Sequence, residues 1–488
     1  MFHTDNVPCW GIWEQSWTVD TNLANAFDVD FKAVFCKDNR QVTAFGFYDG
    51  NGVFKLRFMP NCQGEWTYKT QSCVPALDGQ SGKFLCVAPE TGNHGVARVN
   101  GLHFSYDDGT PLYPIGTTSY AWIHQPADLR KQTLESLKNS GFKKMRMCVF
   151  PKHYDFNKNE PEIYPFEGER GADYTRPNPA FYKHLEGYIM ELAAMGIEAD
   201  LILFHAYDSW GYAKMDEACN HRYVKYVAAR LSCFTNIWWS LANEYDLLPH
   251  LKTHDWEKFA EIIQETDYAG HLISIHNCIP FYDHTRPWVT HCSIQRQDVY
   301  RTTEYTDKWI ADYKKPAVLD EIGYEGDINW GWGNLTAEEL TRRAWECFVR
   351  GGYPGHGETY MSPDDILWWS KGGILKGESA KRFDFLTKIC EEAGGISYLP
   401  EYNPWDLPVG GKRGKVYIAY FGFNRPRFRK FYIETPVHKV EFPKGNYQVE
   451  VIDTWDMTIT DHGVMPHDQL QVELPGKQYM AVRITPKA

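Results

Sequence analysis

At 488 residues and 56.6 kDa the chain is too long for one ordinary core, and its length suggests about three domains. A formal net charge of −12 and a pI near 5.8 argue against a nucleic-acid backbone or an anionic membrane as the main partner, and fit a neutral or cationic ligand better. No apolar run is long enough to span a bilayer, and the opening MFHTDNVPCWGIWEQ lacks a signal-peptide pattern, so the cytosol is the expected location.

Residues 1–95 alternate short β-prone runs such as QVTAFGFYDGNGVFKLRFMP with Asp-Gly and Asn-Gly turns, which predicts an antiparallel β-sandwich. From residue 96 the pattern changes to strand followed by helix or long loop. Strands are expected at 112–118, 144–150, 197–204, 237–242, 271–277, 288–295, at the segment ending on Glu321, and around 352–359. Helices are expected at 129–139, 179–195, 216–232, 255–266, 298–313, 336–350 and 380–392. Eight strands over this length predict an α/β fold of the (β/α)8 TIM-barrel type across residues 96–393, and no phosphate-binding glycine motif favours a doubly wound sheet. Residues 394–488 return to β patterning and predict a second, small β-domain. The three parts are expected to pack against one another.

Aromatic residues make up 15% of the chain, with 18 Trp and 30 Tyr, a composition compatible with ring stacking on a ligand and equally with β-rich cores. The twelve cysteines form no CxxC pair and read as buried thiols in a reducing compartment. No HExxH-type spacing points to a metal, and no cofactor is expected.

The segment NIWWSLANEYD (236–246) ends an apolar strand abruptly in Asn243 and Glu244. A second strand, PAVLDE, ends in Glu321, 77 positions later. In a parallel barrel all strand ends meet on one face, so these two carboxylates can oppose each other across the mouth. Opposed carboxylates are the machinery of glycoside hydrolysis, and a separation of about 5 Å gives a retaining, double-displacement reaction. Repulsion between them in a partly dry site favours holding a proton on one of the two. Strand alternation is expected to send the neighbouring Asp320 to the opposite face. Arg146, inside a buried strand, requires a carboxylate or similar partner.

The motif ANE (242–244) on the fourth strand with LDEIG (319–323) on the seventh resembles the four/seven arrangement of the clan A retaining glycoside hydrolases. The segments GLHFSYDDGTPLYPIGTTSYAW, HLISIHN and LDEIGYEG are similar to the apiosidase-like group of that clan, and with the flanking β-domains the resemblance spans most of the chain. It implies Glu244 as acid/base and Glu321 as nucleophile. It further implies Arg146 beside the nucleophile, Asn243 on the sugar 2-hydroxyl, His205 at the third strand end and His291 near the sixth. The eighth-strand aromatic is either Trp368 or Trp369.

Tyr120, Trp122 and Asp208 are further substrate-binding candidates from their positions beyond strand ends, and Glu358 is a loop charge of the same kind. Trp122, Trp210, Trp330 and Trp332 are candidate ring platforms or core residues. His250 and His254 read as a surface pair. The expected partner is a carbohydrate, with homo-oligomerisation open. The expected activity is exo-acting hydrolysis of a terminal or short oligosaccharide, with the long segment 152–178 closing one end of the groove. A non-catalytic sugar-binding barrel and a transglycosylase with the same residues are the alternatives.

Overall fold

The computed structural model describes residues 2–20, 23–296, 301–402, 407–431, 433–434, 439–440 and 442–487. Its centre is a sheet of eight parallel strands: β1 (Gly116–Thr118), β2 (Lys144–Cys148), β3 (Glu198–Phe204), β4 (Ile237–Ala242), β5 (Ile273–Ser274), β6 (Cys292–Gln295), β7 (Ala317–Glu321) and β8 (Tyr353–His356). The pairing order runs β5-β4-β3-β2-β1-β8-β7-β6. The two ends meet through one parallel bridge, His276 with Ser293, which completes a (β/α)8 barrel.

The outer ring contains α1 (Ala127–Lys138), α2 (Pro179–Ala194), α3 (Glu217–Leu231), α4 (Thr253–Thr266), α5 (Thr306–Tyr313), α6 (Ala337–Val349), the short α7 (Trp368–Lys371) and α8 (Ser379–Ala393). Local chemistry sets several of their starts. Asn178 caps α2 ahead of Pro179, the Asp216 carboxylate accepts from Cys219 N–H at 2.8 Å to start α3, and Thr336 caps α6. α8 stops at Gly394, which takes the left-handed conformation of a helix terminus at φ +71°.

Several expected boundaries shift. The strand expected at 112–118 is divided: Pro111–Leu112 joins an antiparallel sheet with Ala97–Asn100 and His103–Tyr106, and only Gly116–Thr118 enters the barrel. The expected β5 shrinks to two paired residues and β6 starts at Cys292. The helix expected from 298 begins at Thr306, with residues 297–300 outside those described.

Barrel side chains alternate between core and helix layer. On β2, Lys144 and Arg146 point inward, and the Lys144 Nζ lies 2.6 Å from both Asp200 and Asp320. At the lower end Trp238 donates to Glu198 at 2.9 Å, Tyr106 binds the same carboxyl at 2.9 Å, and Phe104 packs on Trp238 at 5.1 Å. This plug leaves the upper mouth as the open end.

The N-terminal β-region has a four-stranded and a five-stranded sheet enclosing Trp13, Phe35, Phe58, Trp66 and Phe84. Its Arg57, 2% exposed, enters the barrel's helix layer. It binds Glu14 and Glu186 at 2.7 Å each, and Glu186 also accepts from Arg230, which in turn holds Asp49 at 2.7 Å. The C-terminal region is built on a six-stranded sheet and docks on α6 and α8, where Trp345 stacks on Tyr420 and the Arg382 guanidinium lies 3.9 Å from the Trp455 ring.

Candidate active site

Glu244 is the second residue past the end of β4, with φ +54° and ψ +57°. This left-handed conformation is uncommon for a residue with a side chain and occurs most often at functional turns. Three donors hold its carboxyl: Tyr207 OH at 2.5 Å and Asn243 Nδ2 at 3.0 Å on Oε2, and Gln295 Nε2 at 3.1 Å on Oε1.

Glu321 ends β7. Its Oε1 accepts from the Tyr120 hydroxyl and from Arg146 Nη1 at 3.1 Å, and faces His276 Nε2 at 3.5 Å. Burial alone would raise this carboxyl, but the contacts with His276, Arg146 and Tyr120 outweigh it and hold it down to about 2. Glu321 is therefore ionised at neutral pH.

Arg146 joins the two acids. Its Nη2 donates to Asn243 Oδ1 at 2.8 Å, and Asn243 passes its own amide hydrogen to Glu244, so Glu321–Arg146–Asn243–Glu244 is a continuous hydrogen-bonded chain. The Tyr120 hydroxyl accepts from Arg146 Nη1 at 2.9 Å and lies 3.1 Å from Asn243 Oδ1. Desolvation and the neighbouring Glu321 push this phenol well above its ordinary range, so it remains a proton donor.

Below, Asp320 accepts from Lys144 and, at 2.5 Å, from Ser293 Oγ. Asp320 is thus not turned to the outer face as alternation predicts. A register irregularity between Ser293 and Gln295 opposite the end of β7 lets both neighbours meet the barrel interior, with Asp320 one layer beneath Glu321.

The two glutamates line a cavity of about 620 Å³, within the range of small-molecule sites. Trp369, 6% exposed, lines it together with Tyr120, Tyr154, Tyr207, Tyr324 and Trp332. The segment after β2 closes one side: Lys152, Tyr154, Asp155 and Phe156 all line the cavity, and Phe156 meets Trp332 at 6.0 Å and Trp369 at 5.7 Å.

Of the sequence-derived candidates, Glu244, Glu321, Tyr120 and Trp369 line the cavity, and Arg146 and Asn243 sit directly behind the carboxylates. Five others, His291, His205, Trp122, Trp368 and Asp208, lie elsewhere. His291 precedes β6 and packs on Trp238 and Phe104 near the barrel plug, because Gln295 occupies the strand end four residues later. His205 is buried, facing the Phe150 carbonyl at 3.3 Å. Trp122 contacts the Met147 sulfur and Tyr188 in the helix layer. Trp368 turns inward to donate to Thr117 at 2.8 Å. Asp208 caps its own loop by accepting from Trp210 and Ala213 N–H groups. Glu358 is buried and accepts from the Lys376 and Gly377 N–H groups, and Trp210 donates to Glu160. Trp332 lines the cavity and Trp330 lines its exposed rim.

Gln295, Lys152 and Tyr207 are among the residues of this arrangement not singled out from sequence. A signal existed for Gln295 and Tyr207, each standing at or just past a strand end. Among the described residues no cluster of His, Cys, Asp and Glu has the arrangement of a metal site, and no helix is long and apolar enough to cross a membrane.

Residues 99–389 match the model of the apiosidase-like catalytic domain. Residues 6–73 and 405–485 match two domains of unknown function, DUF5060 and DUF5605. A search of curated proteins returns no match. Among solved structures, a Bacteroides vulgatus ATCC 8482 protein described as a candidate glycoside hydrolase is 36% identical, with a TM-score of 0.92 over 99% of this chain and all of that one. A family 5 glycoside hydrolase from the same organism shares the fold at 15% identity and a TM-score of 0.60, covering 81% of this chain and 94% of its own. A further glycoside hydrolase gives 15% identity and a TM-score of 0.61, covering 81% of this chain and 98% of that one. With more than half of its length inside the matched catalytic model, the chain belongs to the apiosidase-like family.

Proposed function

We propose that the protein is a retaining glycosidase in which Glu321 is the nucleophile and Glu244 the acid/base. The observation that carries this reading is the Glu321–Arg146–Asn243–Glu244 chain at the base of an aromatic-walled cavity. The hydrogen bonds and charge contacts described for Glu321 fall on Oε1, which leaves Oε2 for attack. Oε2 bonds to the anomeric carbon as Glu244 gives its proton to the departing glycosidic oxygen. Glu244 then takes a proton from water, whose oxygen attacks the same carbon and releases Glu321, with configuration retained after two inversions. Arg146, Tyr120 and His276 keep Glu321 ionised and fixed, and Asn243 is placed to meet a sugar hydroxyl.

The closed side formed by Tyr154, Phe156 and Trp332 supports action on chain ends or short fragments. Among the described residues none of the twelve cysteines is in a disulfide, which supports a reducing compartment and imported fragments as substrates. The test is a screen of aryl α- and β-glycosides, hexo- and pentofuranosides included, with the first-formed product anomer read by NMR. Retention, loss of turnover in Glu321→Gln and azide rescue of Glu321→Ala as an inverted glycosyl azide are expected. Full activity in Glu321→Gln would overturn the assignment, and transglycosylation would appear as acceptor-dependent products.

A further inference from the structure

Lys152 begins the segment after β2 and is 1% exposed, yet it lines the cavity. Its ammonium lies 3.6 Å from the ring centre of Tyr120, 4.2 Å from Tyr207, 4.7 Å from Tyr154 and 5.3 Å from Trp369. Aromatic faces hold a cation but are poor hydrogen-bond acceptors. Among the described residues no carboxylate stands within ion-pair distance of this ammonium and no acceptor is paired with it, whereas Lys144 one layer down holds two carboxylates at 2.6 Å.

The position is fixed by backbone. The Lys152 carbonyl accepts from Asn157 Nδ2 at 2.7 Å, and the next N–H, that of His153, donates to the Tyr207 carbonyl at 2.9 Å. The cage is thus assembled before any ligand arrives, with three N–H donors left over. Burial pushes the amine below its ordinary range, while the more distant glutamates pull the other way.

Arg146 is matched by Glu321, whereas among the described residues no ion pair is formed by the Lys152 ammonium in its aromatic cage. A buried cation without a counter-charge is costly, and a ligand that supplies one gains in affinity and in selectivity.

We infer that Lys152 is the specificity-determining residue for an acidic sugar, a uronate whose carboxylate receives the hydrogen bonds of the caged ammonium in the cavity that holds Glu244 and Glu321. The sugar class rests on the glycosidase reading of that cavity. The chain's net charge of −12 does not oppose it, because exposed charges beyond about 8–10 Å are largely screened and the caged ammonium is local.

The test compares glucuronate and galacturonate with glucose and galactose at matched ionic strength, on the full chain and on Lys152→Met. Affinity is read by saturation-transfer NMR and by melting temperature. Methionine keeps an apolar stem in the cage and removes the charge. The wild type is expected to bind at least one uronate tenfold or more tighter than its neutral counterpart. Lys152→Met should lose that preference and melt no lower than the wild type, whereas a purely structural lysine would leave a destabilised variant.

Equal affinity for acidic and neutral sugars, no binding of either uronate, or an undiminished preference in Lys152→Met would overturn the inference. If the variant fails to fold, the wild-type discrimination still decides. Turnover is scored separately. Lysine-dependent uronate binding without hydrolysis of any aryl glycoside removes the catalytic reading alone, and turnover of neutral glycosides unchanged in Lys152→Met removes the uronate alone.

Discussion

His276 and Ser293 are joined twice: the backbone bridge between them closes the barrel between β5 and β6, and the histidine Nδ1 lies 2.9 Å from the serine Oγ. Ser293 has one hydroxyl hydrogen and gives it to Asp320, so Nδ1 is the donor in the second bond and Nε2 is aimed at Glu321. The seam of the barrel thereby also positions the proposed nucleophile.

Replacing His276 by Ala should let the Glu321 carboxyl rise from about 2 toward its ordinary value. The acid limb of kcat/KM, measured on an activated aryl glycoside, should then move to higher pH. An unmoved limb would show that the histidine does not tune the carboxylate. For stability the sign is equally defined. A carboxyl depressed in the folded state stabilises above its unfolded pKa, and that contribution is lost as pH falls toward about 2. Urea midpoints of wild type and Glu321→Gln should therefore diverge in their pH dependence below the ordinary Glu range.

Tyr120→Phe removes a donor to Glu321 while keeping the ring that faces Lys152. A fall in kcat of about 10²–10³ is expected, the cost of losing one well-placed donor in a dry site. The circular dichroism spectrum should be unchanged.

Trp368 and Trp369 separate stability from substrate contact. Trp368→Ala empties a fully buried site and leaves Thr117 without its indole partner, so a loss of about 3–5 kcal/mol in denaturant unfolding is expected. Trp369→Ala strips the cavity wall and should instead act mainly on kcat/KM. The reverse distribution of effects would show the wall assigned to the wrong tryptophan.

Lys144→Met leaves Asp200 and Asp320 facing each other in the barrel interior without their shared cation. Removing one partner of such a buried ion pair costs about 3–5 kcal/mol. The melting temperature should fall, and acid should partly restore stability by protonating one of the two aspartates.

Glu244, Glu321, Arg146 and Asn243 were legible in the sequence because each interrupts or ends an apolar strand, where a charge has no packing role. The barrel was legible from the alternation of strand and helix. His276 was not separable from His291, because β5 pairs over only two residues and sequence spacing does not reveal which end of a short strand faces the mouth. The choice between Trp368 and Trp369 depends on a single helical turn after β8, and periodicity needs more than four residues to resolve a face. Lys152 reads as one charge among many in a polar segment, and only the folded chain gathers four rings around it.

The ion cluster of Arg57, Glu186 and Arg230 has a consequence for how the chain is divided. Arg57 belongs to the N-terminal sheets, while Glu186 and Arg230 lie on α2 and α3. A shortened chain beginning at the barrel would strip Glu186 of one of its two guanidinium partners and open this apolar, charged seam to water. The barrel is therefore not a portable catalytic unit, and gene fragments cut at that seam should yield aggregated protein.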